Sequence, residues 1–270
     1  NLLRDFNMDT MSQTALNSLK MLMENQAATA HNLANVNTPG FKQDVTTDFS
    51  SIFLNRQNGV EPRIVSSRNT GGFSVEQGQL ENTRNPLDVA IKNEGYFIIQ
   101  PKNEGSVAFS RRGDFQLNEN GELLDGANNK ILDEGLQPII VPAFRTITIS
   151  PEGQIFVQPL GAELDAPPVE IGMIGTAVPE ENIKLKKSLD GHIRIIPNIN
   201  ANGEEEPVPI EANQQAKLLA GFLEKSNVNA IDEMVNSLDH QRKFEMHIKF
   251  IQMAEELDDA GSSLMRLPGM

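Results

Sequence analysis

Residues 9–35 read DTMSQTALNSLKMLMENQAATAHNLAN, a run with neither Gly nor Pro, and are followed at once by Val36-Asn37-Thr38-Pro39-Gly40. Leu16, Leu19, Met23, Ala30 and Leu33 recur in steps of three and four with Gln26 interrupting, and Met8, Met11, Ala15 and Leu22 widen the stripe, which predicts an α-helix. At ~1.5 Å per residue it makes a rod of roughly 40 Å. The stop is equally legible: Asn35 and Asn37 are turn formers, Pro39 restricts Thr38, and Gly40 is free to take positive φ.

The far end of the chain reads the same way. Ser226-Asn227-Val228-Asn229 offers N-cap oxygens, and Asp232 and Glu233 put negative charge in the first turn of a helix starting near Asn229. Ile231, Val235 and Leu238 open a stripe that Phe244, Ile248 and Ile251 continue on a shifted phase, with Leu257, Ala260, Leu264 and Leu267 closing it. Gly261 is its weak point, at ~1 kcal/mol against Ala. Neither helix keeps a strict heptad, so packing of helix on helix in an assembly is expected rather than a regular two-stranded coiled coil.

Between the helices the pattern changes to short strands and tight turns. Val89-Ala90-Ile91 and Tyr96-Phe97-Ile98-Ile99 flank a turn at Asn93-Glu94-Gly95. Asn120-Gly121, Glu152-Gly153, Asp190-Gly191 and Asn202-Gly203 sit where hairpins need positive φ, and Thr146–Ile149 with Gln154–Val157 is the clearest hairpin. Residues 161–168 and 200–209 are loops rich in Pro and acid. The expected fold is α+β: a discontinuous helical assembly domain (1–40 and 226–270), a connector (41–72) and an antiparallel β domain (73–225), an irregular sandwich or barrel. An apolar stripe on a terminal helix has no partner inside a β domain. It must find the other helix or another molecule.

Composition narrows the function. A formal charge of −14 disfavours nucleic acid, which needs a basic stripe; Lys184, Lys186 and Lys187 read as a solvated edge. The absence of Cys removes disulfides and thiolate metal sites. No run approaches the ~18–20 apolar residues of a membrane span. The start, Asn1-Leu2-Leu3-Arg4-Asp5-Phe6, lacks the pattern of a cleaved signal peptide, and its missing initiator Met points to processing or a trimmed start.

Candidate chemistry is thin. His240 and His247 are seven apart, too far for an i,i+4 metal chelate, and read as exposed helix positions. His31 reads as an interface polar group, and His192 has only Asp190 near it in sequence. Asp125-Gly126-Ala127-Asn128-Asn129 resembles a calcium loop but lacks the alternating acids and the final Glu, so a turn is expected. Asp114, Glu119, Glu122 and Asp125 hold no spacing that marks a catalytic pair. No Gly-x-Ser-x-Gly elbow and no phosphate-binding Gly loop is present. The expectation is no enzyme, no cofactor and no metal. Asn32, Asn35 and Asn37 are the most unusual polar group. They suit a helix end, and their amides are also fitted to bridge to neighbouring chains.

Three blocks resemble one family. Ala28-Thr29-Ala30-His31-Asn32-Leu33-Ala34-Asn35-Val36-Asn37-Thr38-Pro39-Gly40-Phe41-Lys42 is similar to the N-terminal signature of the bacterial flagellar rod and hook proteins. Asn85–Ile91, Gly95-Tyr96-Phe97, Phe109–Phe115 and Asn120–Leu123 resemble that family's central β motif, with Arg84 and Asn93 where relatives often carry Gly. Leu223–Asn229, Glu233-Met234-Val235 and Gln241–Met246 resemble its C-terminal helix. Thr38–Phe41 and Phe244-Glu245-Met246 look most like the proximal-rod members, and the length suits a rod protein rather than a hook subunit.

The resemblance implies an axial structural subunit in the rod of the basal body, spanning the periplasm. It would be exported by the flagellar type III apparatus without a cleaved signal peptide. Its expected partners are other rod proteins, copies of itself and surrounding ring or bushing proteins, with no nucleic acid and no membrane insertion. The expected assembly interface is Leu16, Leu19, Met23, Leu33, Ile231, Val235, Leu238, Phe244, Ile248 and Ile251 for helix packing, with Asn32, Asn35, Asn37, Pro39 and Gly40 shaping the bend. The rival readings are a distal rod protein, a periplasmic glycan-cleaving enzyme using Asp114 and Glu122, and a carbohydrate-binding module. The last is poorly served by a chain with no Trp and one Tyr.

Overall fold

A computed structural model describes residues 2–45 and 72–265, apart from 104, 162, 164, 165, 181, 182, 189, 200–204 and 207. Most of the expected connector falls outside the described residues, including Phe49, Ile52, Phe53 and the Asn58-Gly59 break. The chain divides into two compact units: 1–34, 44–70 and 229–270 form one, and 35–43 and 71–228 the other.

The first unit holds both helices. Helix α1 spans Leu2–Ala34, running further toward the N-terminus than the stripe alone indicates because residues 2–8 contain no breaker. Helix α2 spans Ala230–Met265 and runs through Gly261. Asn229 caps α2: its side-chain oxygen accepts the Ile231 N–H at 3.0 Å and its carbonyl accepts the Glu233 N–H at 3.1 Å. Among the described residues no helix is long and apolar enough to cross a membrane.

The second unit is antiparallel β, built from short strands. Its main sheet runs in the order Leu185–Lys187, Ile193–Ile195, Ala108–Ser110, Tyr96–Gln100, Lys130–Ile131, Leu123–Leu124 and Gln116–Leu117, with Thr176–Ala177 also pairing onto Tyr96–Gln100. A three-stranded sheet places Gln154–Pro159 between Val169–Met173 and Phe144–Ile149. The expected hairpin is present, with Ile147 opposite Val157 and Ile149 opposite Ile155. Gly153 closes the turn at φ +98°, donating its N–H to the Ser150 carbonyl at 2.9 Å. Two ribbons, Leu80–Asn82 with Phe222–Glu224 and Val89–Ile91 with Leu218–Ala220, pair the start of the unit with its end.

The period-2 alternation of the strands drives Val89, Ile91, Phe97, Ile99, Phe115, Leu123, Ile131, Ile147, Ile149, Ile155, Val157, Ile174 and Leu218 into one core. A smaller cluster on the other side of the central strand collects Tyr96, Ile98, Phe109, Leu132, Ala177 and Ile193.

Candidate assembly surface

The helical unit is built inside out. Among the described side chains of α1 the buried ones are Ser18, Leu22, Asn25, Thr29 and Asn32, a strict alternation of four and three. On α2 the buried or half-buried positions are Ala230, Glu233, Ser237, His240, Phe244, His247 and Ile251, alternating three and four. The two helices pack together, and Asn32 near the end of α1 bonds Glu233 near the start of α2, so they run antiparallel. The seam is therefore a heptad, but one filled mostly by small and polar groups. Apolar periodicity does not mark this seam for that reason. His240, expected on the exposed face, is 9% exposed within the seam.

Asn32 explains why an amide is needed there. Its Nδ2 donates to Glu233 Oε1 at 2.9 Å and to the Asp44 carbonyl at 3.0 Å, and its Oδ1 accepts the Asp44 N–H at 2.7 Å. Both hydrogens of the NH2 group are used, and the residue has no exposed surface. His31 Nδ1 stands 2.6 Å from Asp44 Oδ2 beside it. Polar groups at seam positions fix the register of a helix pair while lowering its stability.

Of the apolar residues that the sequence singles out, Leu22, Phe244 and Ile251 lie in the seam and others lie outside it. Met23, Ile231, Val235 and Leu238 are 58%, 72%, 53% and 55% exposed, and Ile248 is 37% exposed. Leu19 and Leu33 are half-buried, Phe244 and Ile251 are half-buried in the seam, and the side chain of Leu16 lies outside the described residues. Ala27, Ala30 and Ala34 continue the exposed line of Met23 on α1, giving it a smooth outer face.

The bend after α1 belongs to the β unit. The Asn35 carbonyl accepts the Thr38 N–H at 3.1 Å, and its side-chain oxygen accepts the Thr38 hydroxyl at 3.1 Å; Asn37 is exposed and Pro39 half-buried. Gly40 sits at φ +66°, where a Cβ would overlap the Arg111 carbonyl, and its N–H donates to the Glu224 carbonyl at 2.7 Å. Lys42 Nζ then donates to Glu224 Oε1 at 2.7 Å and to the Glu76 carbonyl at 2.6 Å. Asn227 stitches three segments: it accepts the Gln43 N–H at 2.7 Å, donates its backbone N–H to the Phe41 carbonyl at 3.3 Å, and donates Nδ2 to the Glu76 carbonyl at 3.0 Å.

Charge is concentrated in this joint. Arg111 lies 3.5 Å from Glu224 Oε2, donates to the Ile91 and Asn93 carbonyls, and sits over the Tyr96 ring at 5.8 Å. Lys187 donates to the Lys42 carbonyl at 2.6 Å and lies 3.6 Å above the Phe41 ring. The expected solvated edge thus holds for Lys184 and Lys186 but not for Lys187. Strand alternation turns its side chain inward to 6% exposure. Burial lowers the pKa of Lys42, with Glu224 opposing the shift, and burial raises that of Tyr96 against the pull of Arg111. Removing one partner from such a set leaves an unpaired buried charge.

The acids considered for catalysis are tied down. Arg112 grips Asp114 through two bonds of 2.7 and 2.8 Å. Lys130 and Asn118 bond Glu122, each at 2.7 Å, and hold its carboxyl below the ordinary range, opposite to what a general acid needs. Asp125 accepts the N–H groups of Ala127 and Asn129 and the Asn129 side chain, which makes its loop an Asx turn. Among the described residues no group of three or more His, Asp or Glu is placed to hold a metal ion.

Known proteins share these parts in this order. Residues 13–42 match the family model described as flagella basal body rod protein, 90–157 the flagellar hook protein FlgE/F/G D1 domain, and 219–264 the flagellar basal body rod FlgEFG protein C-terminal region. The flagellar basal-body rod protein FlgF of Salmonella typhimurium is 29% identical over 262 residues, covering 96% of this chain and 100% of its own length. FlgG of Buchnera aphidicola (strain Bp) is 30% identical over 260 residues, covering 86% of this chain and 91% of its own. FlgF of Escherichia coli is 30% identical over 256 residues, covering 94% of this chain and 96% of its own. With its end helices and its β unit all matched in sequence, this chain belongs to the flagellar basal-body rod protein family.

Proposed function

We propose that this chain is a non-enzymatic structural subunit of the bacterial flagellar basal-body rod, in its proximal part, joined through its terminal helices to other rod proteins and to copies of itself. The observation that carries this is the inside-out helical unit. Its own seam uses polar groups, while Ile231, Val235, Leu238 and Met23 are left exposed for neighbours. Leu16, Leu19, Leu33, Phe244, Ile248 and Ile251 complete the helix-packing set, and Asn35, Asn37, Pro39 and Gly40 set the exit of the chain from α1. A rod in this position transmits torque across the periplasm, and its subunits arrive through the flagellar export apparatus without a cleaved signal peptide. Thr38–Phe41 and Phe244-Glu245-Met246, which look most like the proximal-rod members, favour the proximal over the distal position.

The test is Leu238→Asp. The side chain is 55% exposed, so the free protein keeps its fold. A carboxylate buried at a helix interface costs several kcal/mol, so incorporation into basal bodies and swimming are lost. Normal swimming in that mutant would overturn the assignment. Hydrolysis of isolated peptidoglycan that disappears in Asp114→Asn and Glu122→Gln would replace it with the enzyme reading.

A further inference from the structure

We infer that α2 carries two unlike docking strips, and that successive copies of this chain join head to tail with the first strip of one copy on the second strip of the next. This rests on the reading of the chain as an assembling subunit. Ile231, Met234, Val235 and Leu238 follow i, i+3, i+4, i+7 spacing and are 72%, 53%, 53% and 55% exposed. At about 100° per residue they form one strip opposite the seam. Met246, Phe250 and Met253, exposed by 61%, 49% and 59%, form a second strip rotated by about 60°, roughly a sixth of a turn. Exposed Gln241, Arg242 and Glu245 interrupt the line of the first strip, so one straight neighbour does not cover both.

The two strips match in spacing and oppose in charge. Met246, Phe250 and Met253 each lie fifteen positions after Ile231, Val235 and Leu238. A parallel copy displaced by that amount, roughly 22 Å, pairs the strips residue for residue. Exposed Asp232 and Asp239 flank the first strip, and exposed Arg242, Lys243 and Lys249 flank the second together with Glu245 before its first residue and Glu256 beyond its last. The Arg242–Asp239 pair within the helix is long, at 3.9 Å, and open to water, so it ties up neither group. First strip on first strip would bring two acids to two acids, whereas the unlike pairing sets those acids against a flank of three bases and two acids, which commits the surface to a second copy in the staggered register. The contact is heterologous and leaves one strip unused at each end, so it propagates as an open array. Each strip offers three or four side chains, far short of a self-sufficient interface, and the charge of −14 keeps free chains apart until other contacts gather them.

The chain lacks Cys, so single cysteines report without background. Full-length Val235→Cys and Phe250→Cys proteins are mixed under assembly conditions and treated with a short bis-maleimide. The mixture is expected to crosslink on the order of tenfold more than either variant alone, because only unlike strips meet. Equal yield from Val235→Cys alone, or no crosslink in the mixture while wild-type chains assemble, overturns the proposal. Charge reversal gives a second arm. Asp232→Lys with Asp239→Lys, or Lys243→Glu with Lys249→Glu, weakens assembly by on the order of tenfold, and all four changes together restore it. Failure to restore in a protein with its full helical signal overturns the register. Crosslinks made in cells only to a different basal-body protein refute self-docking and leave the rod reading standing. Absence of the chain from basal bodies refutes the rod reading itself.

Discussion

The β unit and the helical unit both bury polar groups, and they do so on different terms. In the β unit Lys42, Arg111 and Glu224 are embedded beside an apolar core that stabilises the fold independently of them. In the helical unit polar groups occupy the seam itself, with Leu22, Phe244 and Ile251 as its large apolar members among the described side chains. A core that carries charge can be stable. A seam made of Ser18, Asn25, Thr29, Asn32, Glu233 and His240 gains register and little burial energy. The helix pair therefore draws less stability from its own seam than the β unit draws from its core.

The largest expected effect is on the β side. Glu224→Ala leaves Lys42 and Arg111 buried without their carboxylate and costs about 3–5 kcal/mol. Tyr96 is the only Tyr and there is no Trp, so its fluorescence during urea unfolding reports the β unit, while the far-ultraviolet helical signal reports the other. The Tyr96 midpoint is expected to move far more than the helical one. Next comes Asn32→Asp, which removes two donors and sets a carboxylate against Glu233, at about 1–3 kcal/mol or more. Here the helical signal melts early and the Tyr96 transition stays in place. Equal movement of both probes in either mutant breaks the contrast between the units.

A sharper test makes the seam resemble a core. Asn25→Leu with His240→Leu is expected to add about 1–2 kcal/mol per side chain to the helix pair, seen as greater helicity in dilute protein. The smallest effect is one of pH. Burial lowers the pKa of His192 below 6.5, with Asp190 opposing the shift. Between the two values the unfolded chain holds a proton that the folded chain does not, so stability falls as pH drops through 6.5 toward the folded value. Burial alone would raise Asp190, but bonds from Arg194 and the His192 N–H outweigh it and lower it overall, which adds a further loss below 3.8. Both groups lie in the β unit, so the Tyr96 transition carries the slope. His192→Gln should flatten the part near 6.5 in urea titrations at a series of pH values.

Much of this architecture was legible because local chemistry announced it. Gly121, Gly153 and Gly191 sit at φ +78°, +98° and +81° in the turns that their dipeptides mark. Asn229 caps α2 where the run of cap residues placed it. The seam was hidden because a search for apolar periodicity is blind to a heptad of Ser, Asn, Thr, Glu and His. It found the outward face instead. Lys187 and Lys42 were hidden for another reason: their environments come from partners 145 and 182 positions away, which no local window contains.

One consequence follows from Asn227, which bonds the Phe41 carbonyl and the Gln43 N–H at once. One side chain thus ties the leading segment 35–43 of the β unit to the last residues of its main segment, 71–228. A substitution of Asn227 is therefore expected to loosen both places where the chain leaves this unit at once, after Gln43 and after Val228.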